Sequence, residues 1–158
     1  MKAIIQSNTP KECERIINGQ QTIKVCKTAP KDTLFKVYMY CTKDGYAYRC
    51  RIDENSKLAI PELWNGKVIG EYVCEKVDVA EVRGKLLGLY NSRFVDASDF
   101  SLIVKRCLDN SELSNYGRGK SISCLHISNV KIYDKPKELN EFNFTRPPHG
   151  WQYVEDGK

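Results

Sequence analysis

The chain has 158 residues, of which 41% are apolar, 28% charged and 10% aromatic, and 25 Lys and Arg against 20 Asp and Glu leave a net charge of +5. That length suits one domain, residues 1–158, with a single core, and the mild positive balance is compatible with phosphate-bearing partners but far from histone-like. No stretch approaches the apolar length of a membrane span and the N-terminus lacks a signal pattern, so a cytoplasmic protein with no membrane partner is expected.

In chain order, Lys2 to Ile5 reads as a strand, and TPKECERIING reads as a complete helix. Thr9 is placed to cap it, Pro10 suits its first position and Glu12 completes a capping box. Cys13, Ile16 and Ile17 make its apolar face, and Gly19 supplies the left-handed stop. Thr22 to Lys27 then reads as a strand that alternates Ile23 and Val25 against Lys24 and Cys26.

Phe35 to Thr42 is a strong strand, with Val37, Met39 and Cys41 on one face and Tyr38 and Tyr40 on the other. Lys43-Asp44-Gly45 carries hairpin-turn chemistry, which predicts that Tyr46 to Ile52 pairs back on it. Residues 53–67 look turn-rich, broken by Pro61 and Asn65-Gly66. Lys67 to Val82 is the longest strand candidate, with Gly70 marking a bulge or a tight bend.

Residues 83–98 read as an irregular connection. Asp99 to Leu108 has helical spacing, and a second short helix over Ser111 to Tyr116 stops at Gly117. SISCLHISNVKIYDKP reads as strand, turn, strand, and KPKELNEF as one or two helical turns. RPPHGWQYVE leads into a last strand, Trp151 to Val154.

Seven scattered cysteines, an odd number without a C-x-x-C, point to buried reduced thiols rather than a disulfide framework. Cys124 and His126 are the closest metal-like pair, but no second pair accompanies them, so no metal site and no cofactor are predicted.

Four stretches together resemble an ASCH domain, the small barrel family related to PUA and EVE domains. They are the opening strand-helix-strand with Gly19, GKVIGEYVCEKV, HISNVKIYDKPKELNEF and PPHGWQYVE. Their order and spacing cover nearly the whole chain except residues 83–98, and the last two look like the C-terminal signature of bacterial and phage ASCH proteins. The resemblance implies an α+β, single-domain PUA-like barrel of five to six mostly antiparallel strands with short helices around it. The family's Gly, Lys, acidic residue or Thr, and Arg fall on Gly19, Gln21, Lys24 and Cys26, so only the glycine is retained.

Lys24, Lys27 and Lys31 crowd the opening motif, as a positive cleft wall for phosphate or as an ordinary solvated strand face. Glu71, beside Gly70, is placed to accept a hydrogen bond from a base edge or to act as a base, or else to pair with a lysine. Trp64 stands beside Asn65-Gly66, where a large aromatic would suit a stacking platform, and Trp151 suits a core or barrel-lid role. Tyr116 with Arg118 and Lys120 places an aromatic beside two cations, though an ordinary helix end looks the same. His126 reads as a hydrogen-bonded structural residue, and His149 as a possible rim residue. Neither belongs to a triad.

Two function classes follow. One is a binding module whose basic cleft takes RNA, a nucleotide or a modified nucleobase, with DNA as a further possible partner. The other is an amidohydrolase acting on acetylated cytidine, or a ribonuclease, as in some family members, with Lys24 and Glu71 as its catalytic pair. Gln21 and Lys24 replace the family's Lys and Thr, which favours binding over catalysis. A regulator acting through protein contacts is a third class, although no helix-turn-helix is visible.

Overall fold

The computed structural model describes residues 1–45, 48–83, 86–90 and 121–155. Elements run in the order β1 (Lys2–Asn8), α1 (Pro10–Ile17), β2 (Ile23–Cys26), β3 (Phe35–Cys41), β4 (Tyr48–Ile52), β5 (Ala59–Leu63), β6 (Val68–Arg83), β7 (Leu86–Tyr90), β8 (Ser121–Lys137), a 3-10 turn (Leu139–Phe142) and β9 (Trp151–Tyr153).

Six strands form a curled sheet in the order β2-β8-β6-β3-β1-β9, and β7 pairs on β6. Among the described pairs only β1 and β3 are parallel. A parallel pair needs a crossover, and here α1 and β2 provide it. The sheet curls until its ends approach, and the Trp151 indole N–H, from β9, donates to the Thr28 carbonyl just past β2 at 3.0 Å. The mostly antiparallel barrel of five to six strands that the resemblance implies is therefore present, as a strongly curled six-stranded half-barrel.

Helix α1 forms as its sequence dictates. Thr9 accepts from the Glu12 amide at 3.2 Å, the Glu12 side chain reaches back, and Gly19 sits at φ +74°. Its Cys13 and Ile16 join Ile4, Phe35, Val37, Met39, Tyr72 and Leu125 in the core on the inner face of the sheet. Alternation sends Ile5 and Tyr40 to the outer face, where they meet Val68 and Tyr133 under Leu139, Phe142 and Phe144.

Gly70 answers to a close approach. A Cβ there would lie 2.4 Å from the Lys131 carbonyl oxygen, and the β6–β8 register shifts on either side of it, so the expected bulge is present.

Four expectations need correction. Tyr48–Ile52 does not pair back on β3, because β1 and β6 already occupy both edges of β3. It pairs instead with Ala59–Leu63 as a separate two-stranded sheet. Pro61 therefore stands inside a strand, which an edge strand tolerates because its missing N–H faces away from the ladder. Within the supposedly irregular 83–98, Leu86–Tyr90 pairs with Val79–Arg83. Ser121–Lys137 is one strand without the expected turn. Asn129 takes φ +50°, but register shifts absorb the irregularity and the ladder continues. The helices expected over Asp99 to Leu108 and Ser111 to Tyr116 lie outside the described residues. Among the described residues, no helix is long and apolar enough to cross a membrane.

Candidate functional site: a cleft at the barrel seam

Where the curled sheet's ends meet, a cleft of about 560 Å³ opens between the end of β1, the strand β2 and the segment leading into β9. Ser7 fixes that segment twice. Its amide donates to the Gly150 carbonyl at 2.9 Å, and its hydroxyl to the Pro148 carbonyl at 2.7 Å.

Lys24 lines the cleft but is only 6% exposed, since β2 turns it toward α1 rather than toward solvent. Its Nζ lies 2.6 Å from Glu12 Oε2. Burial pushes the Glu12 carboxyl up, but the Lys24 charge and hydrogen bonds from Lys24, Thr9 and Gln21 outweigh it and hold the group below its ordinary value. Gln21, at the position where the resemblance implies a lysine, is 1% exposed and donates to the Ile23 carbonyl at 3.0 Å. The lysine of this neighbourhood thus comes from residue 24 and its counter-charge from the helix cap.

The inner end of the cleft is a relay of buried side chains. Tyr72 donates to Gln6 Oε1 at 2.8 Å, and Gln6 Nε2 donates to Cys26 Sγ at 3.1 Å. Burial raises the Cys26 thiol to about 11, so at neutral pH it is protonated and poorly nucleophilic. Lys27 and His149 are exposed at the rim and Trp151 is partly buried there, its ring edge-on to Tyr153 at 5.3 Å.

The residues singled out from sequence separate into several places. Lys24 and Lys27 lie at this cleft. Lys31 is exposed on the next segment, and Tyr153 donates to neighbouring Asp32 at 2.9 Å. Glu71 points to the outer face of the sheet, 3.4 Å from Lys36, so it does not converge with Lys24. Trp64 is 7% exposed and packs in the inner core, which leaves no free ring face for stacking. Tyr116, Arg118 and Lys120 lie outside the described residues. His126 has the hydrogen-bonded place expected of it, 2.7 Å from Asp78.

Cys13, Cys26, Cys41, Cys74 and Cys124 are buried free thiols, and the described residues hold no cluster of three or more metal-ligating side chains. Sequence reasoning missed Gln6, Tyr72 and the second role of Glu12. Only Glu12 carried a signal, as a capping-box acid with a lysine on the next strand.

No protein-family model matches the chain. Two curated relatives come from Ureaplasma parvum. ATP synthase subunit alpha is 25% identical over 153 residues, covering 97% of this chain and 15% of the relative. Large ribosomal subunit protein uL22 is 24% identical over 155 residues, covering 97% of this chain and 39% of the relative. The chain thus spans well under half of either relative's length.

Among solved structures, ASCH from Zymomonas mobilis superposes with a TM-score of 0.65 at 14% identity, over 98% of this chain and 89% of that one. A Tyr-to-Phe mutant of the same protein gives 0.66 at 13% identity, over 99% and 92%. At such identity the likeness is one of architecture, and the fold of this chain is that of the ASCH domain.

Proposed function

We propose that the seam cleft binds a nucleobase or nucleotide, free or within RNA, and that the chain is a binding module rather than a hydrolase. The observation that carries this reading is the cleft's construction. A volume of about 560 Å³ lies within the range of small-molecule sites. Its inner polar groups are fixed by Tyr72, Gln6 and the Lys24–Glu12 pair, while an indole and a cation, Trp151 and Lys27, stand at its mouth. Fixed polar groups inside suit a base edge, an aromatic suits its face and a rim lysine suits its phosphate.

Against hydrolysis, the buried Gln21 amide is no proton acceptor, Lys24 is engaged by Glu12, and the Cys26 thiol is protonated at neutral pH. Binding of uridine and cytidine monophosphates and of a short single-stranded RNA, titrated across salt, tests the reading. Affinity for the RNA should fall with salt at a slope of about −0.7 per phosphate contact, and Lys27→Ala should flatten it. Absence of binding at low salt, or affinity indifferent to salt, would overturn it.

A further inference from the structure

On the opposite face of the sheet lies a second concavity, of about 590 Å³, which the seam cleft does not explain. Its floor is Tyr38 from β3, Glu71 from β6 and Tyr133 from β8. Its wall is the irregular end of β8, where Val68 pairs with Lys137 while Gly70 pairs with Ile132, so β8 carries extra residues outward. Gly70 permits this, since only a residue without a Cβ lets the Lys131 carbonyl come so close.

Among the described residues, four lysines, Lys36, Lys131, Lys135 and Lys137, line the groove against two carboxylates, Glu71 and Asp134. Lys36 lies 3.4 Å from Glu71, and Lys137 is held over the Tyr133 ring at 4.6 Å. Glu71, half-buried on the floor, is thus already matched by a cation of the protein.

We propose that this outer groove is a phosphate-binding track for the backbone of a single-stranded nucleic acid. Excess positive charge in a concavity concentrates the field there and favours a polyanion. Tyr38, half-buried beside these cations, suits a strand that presents a sugar or base along with phosphate, whereas Tyr133 is buried beneath Lys137 and serves as floor. A membrane surface would instead meet apolar side chains projecting among the lysines, and Ile132, the one aliphatic lining residue among the described residues, packs against the core. This inference goes beyond the seam cleft and stands on a different set of charges.

The test compares wild type, Lys135→Glu/Lys137→Glu, Lys131→Ala and Lys27→Ala for binding of a uridine decamer and of uridine monophosphate across salt, with thermal melts to verify folding. Lys131, Lys135 and Lys137 are exposed, so these variants should fold. The charge reversal should weaken decamer binding at least tenfold and reduce the salt slope by about 1.4, the value for two contacts, while mononucleotide binding is unchanged. Lys131→Ala should reduce that slope by about 0.7. Decamer affinity and slope unaltered in both groove variants would overturn the inference and leave the cleft reading intact. Decamer binding lost in the groove variants, with no mononucleotide binding in any protein, would overturn the cleft reading alone. Binding to phosphatidylserine vesicles without binding to the decamer would overturn the groove's assignment to nucleic acid.

Discussion

Glu12 and Lys24 meet at 2.6 Å, and the same carboxylate faces the N-terminus of α1 with its other oxygen. One side chain therefore both caps the helix and neutralises a lysine that the next strand buries. The two side chains are only 11% and 7% exposed, so neither partner has water to fall back on.

Removing one partner should be costly. Glu12→Gln or Lys24→Met leaves a single charge in a buried position, and each should lower unfolding stability by about 3–5 kcal/mol. The double variant should lose less than the sum of the two, because an amide and a thioether do not demand a counter-charge. Urea midpoints at unchanged m-value measure this, and additive losses would show that the pair is not coupled.

Stability should also depend on acid in a specific direction. The Glu12 carboxyl is held below its ordinary value of 4.5 in the folded protein. The unfolded chain therefore takes up this proton first, and the contribution is complete above pH 4.5 and lost as pH falls below it through the folded value. A stability–pH profile of wild type should decline more steeply there than that of Glu12→Gln. Parallel profiles would remove Glu12 as the cause.

Gly70→Ala tests the strand crossing. The added methyl meets backbone rather than a pliable side chain, at 2.4 Å from the Lys131 carbonyl oxygen and 3.2 Å from Ile132 Cα. Overpacking of this kind costs about 1–3 kcal/mol. Decreased stability with local chemical-shift changes along β8 is the expected outcome, and a neutral substitution would mean that β8 yields without cost.

Much of the architecture was legible because it is locally encoded. The capping box of Thr9 and Glu12, the two faces of Phe35 to Thr42 and the bulge at Gly70 each follow from short-range rules. What failed depended on competition between distant segments. Asp44-Gly45 is good turn chemistry, but no turn can add a strand to an edge already taken by β1 or β6. The site was legible only in part for the same reason. Lys24 and Lys27 were visible on β2, whereas Gln6 and Tyr72 are 66 residues apart and enter through a hydrogen bond that no local pattern announces. Trp64 misled because its loop-like neighbours, Asn65 and Gly66, say nothing about which way the ring turns.

The two tryptophans allow the cleft to be tested optically. Trp64 is buried among Ile69, Tyr72 and their neighbours, whereas Trp151 lies at the mouth of the cleft with its N–H on Thr28. A ligand in the cleft should therefore change the emission of Trp151 and leave that of Trp64 nearly constant. Trp64→Phe should retain the ligand-induced change, while Trp64→Ala should destabilise the fold by about 3–5 kcal/mol through loss of core packing. Trp151→Phe keeps an aromatic face but loses the hydrogen bond that joins the two ends of the sheet, so it should abolish the optical signal and weaken binding moderately. Trp151→Ala should weaken binding further, by about 1–3 kcal/mol if a base stacks there. The measurement is a fluorescence titration with uridine monophosphate, paired with calorimetry so that affinity is read independently of emission. A signal that follows Trp64 instead, or calorimetric affinity unchanged in Trp151→Ala, would move the binding site away from the seam.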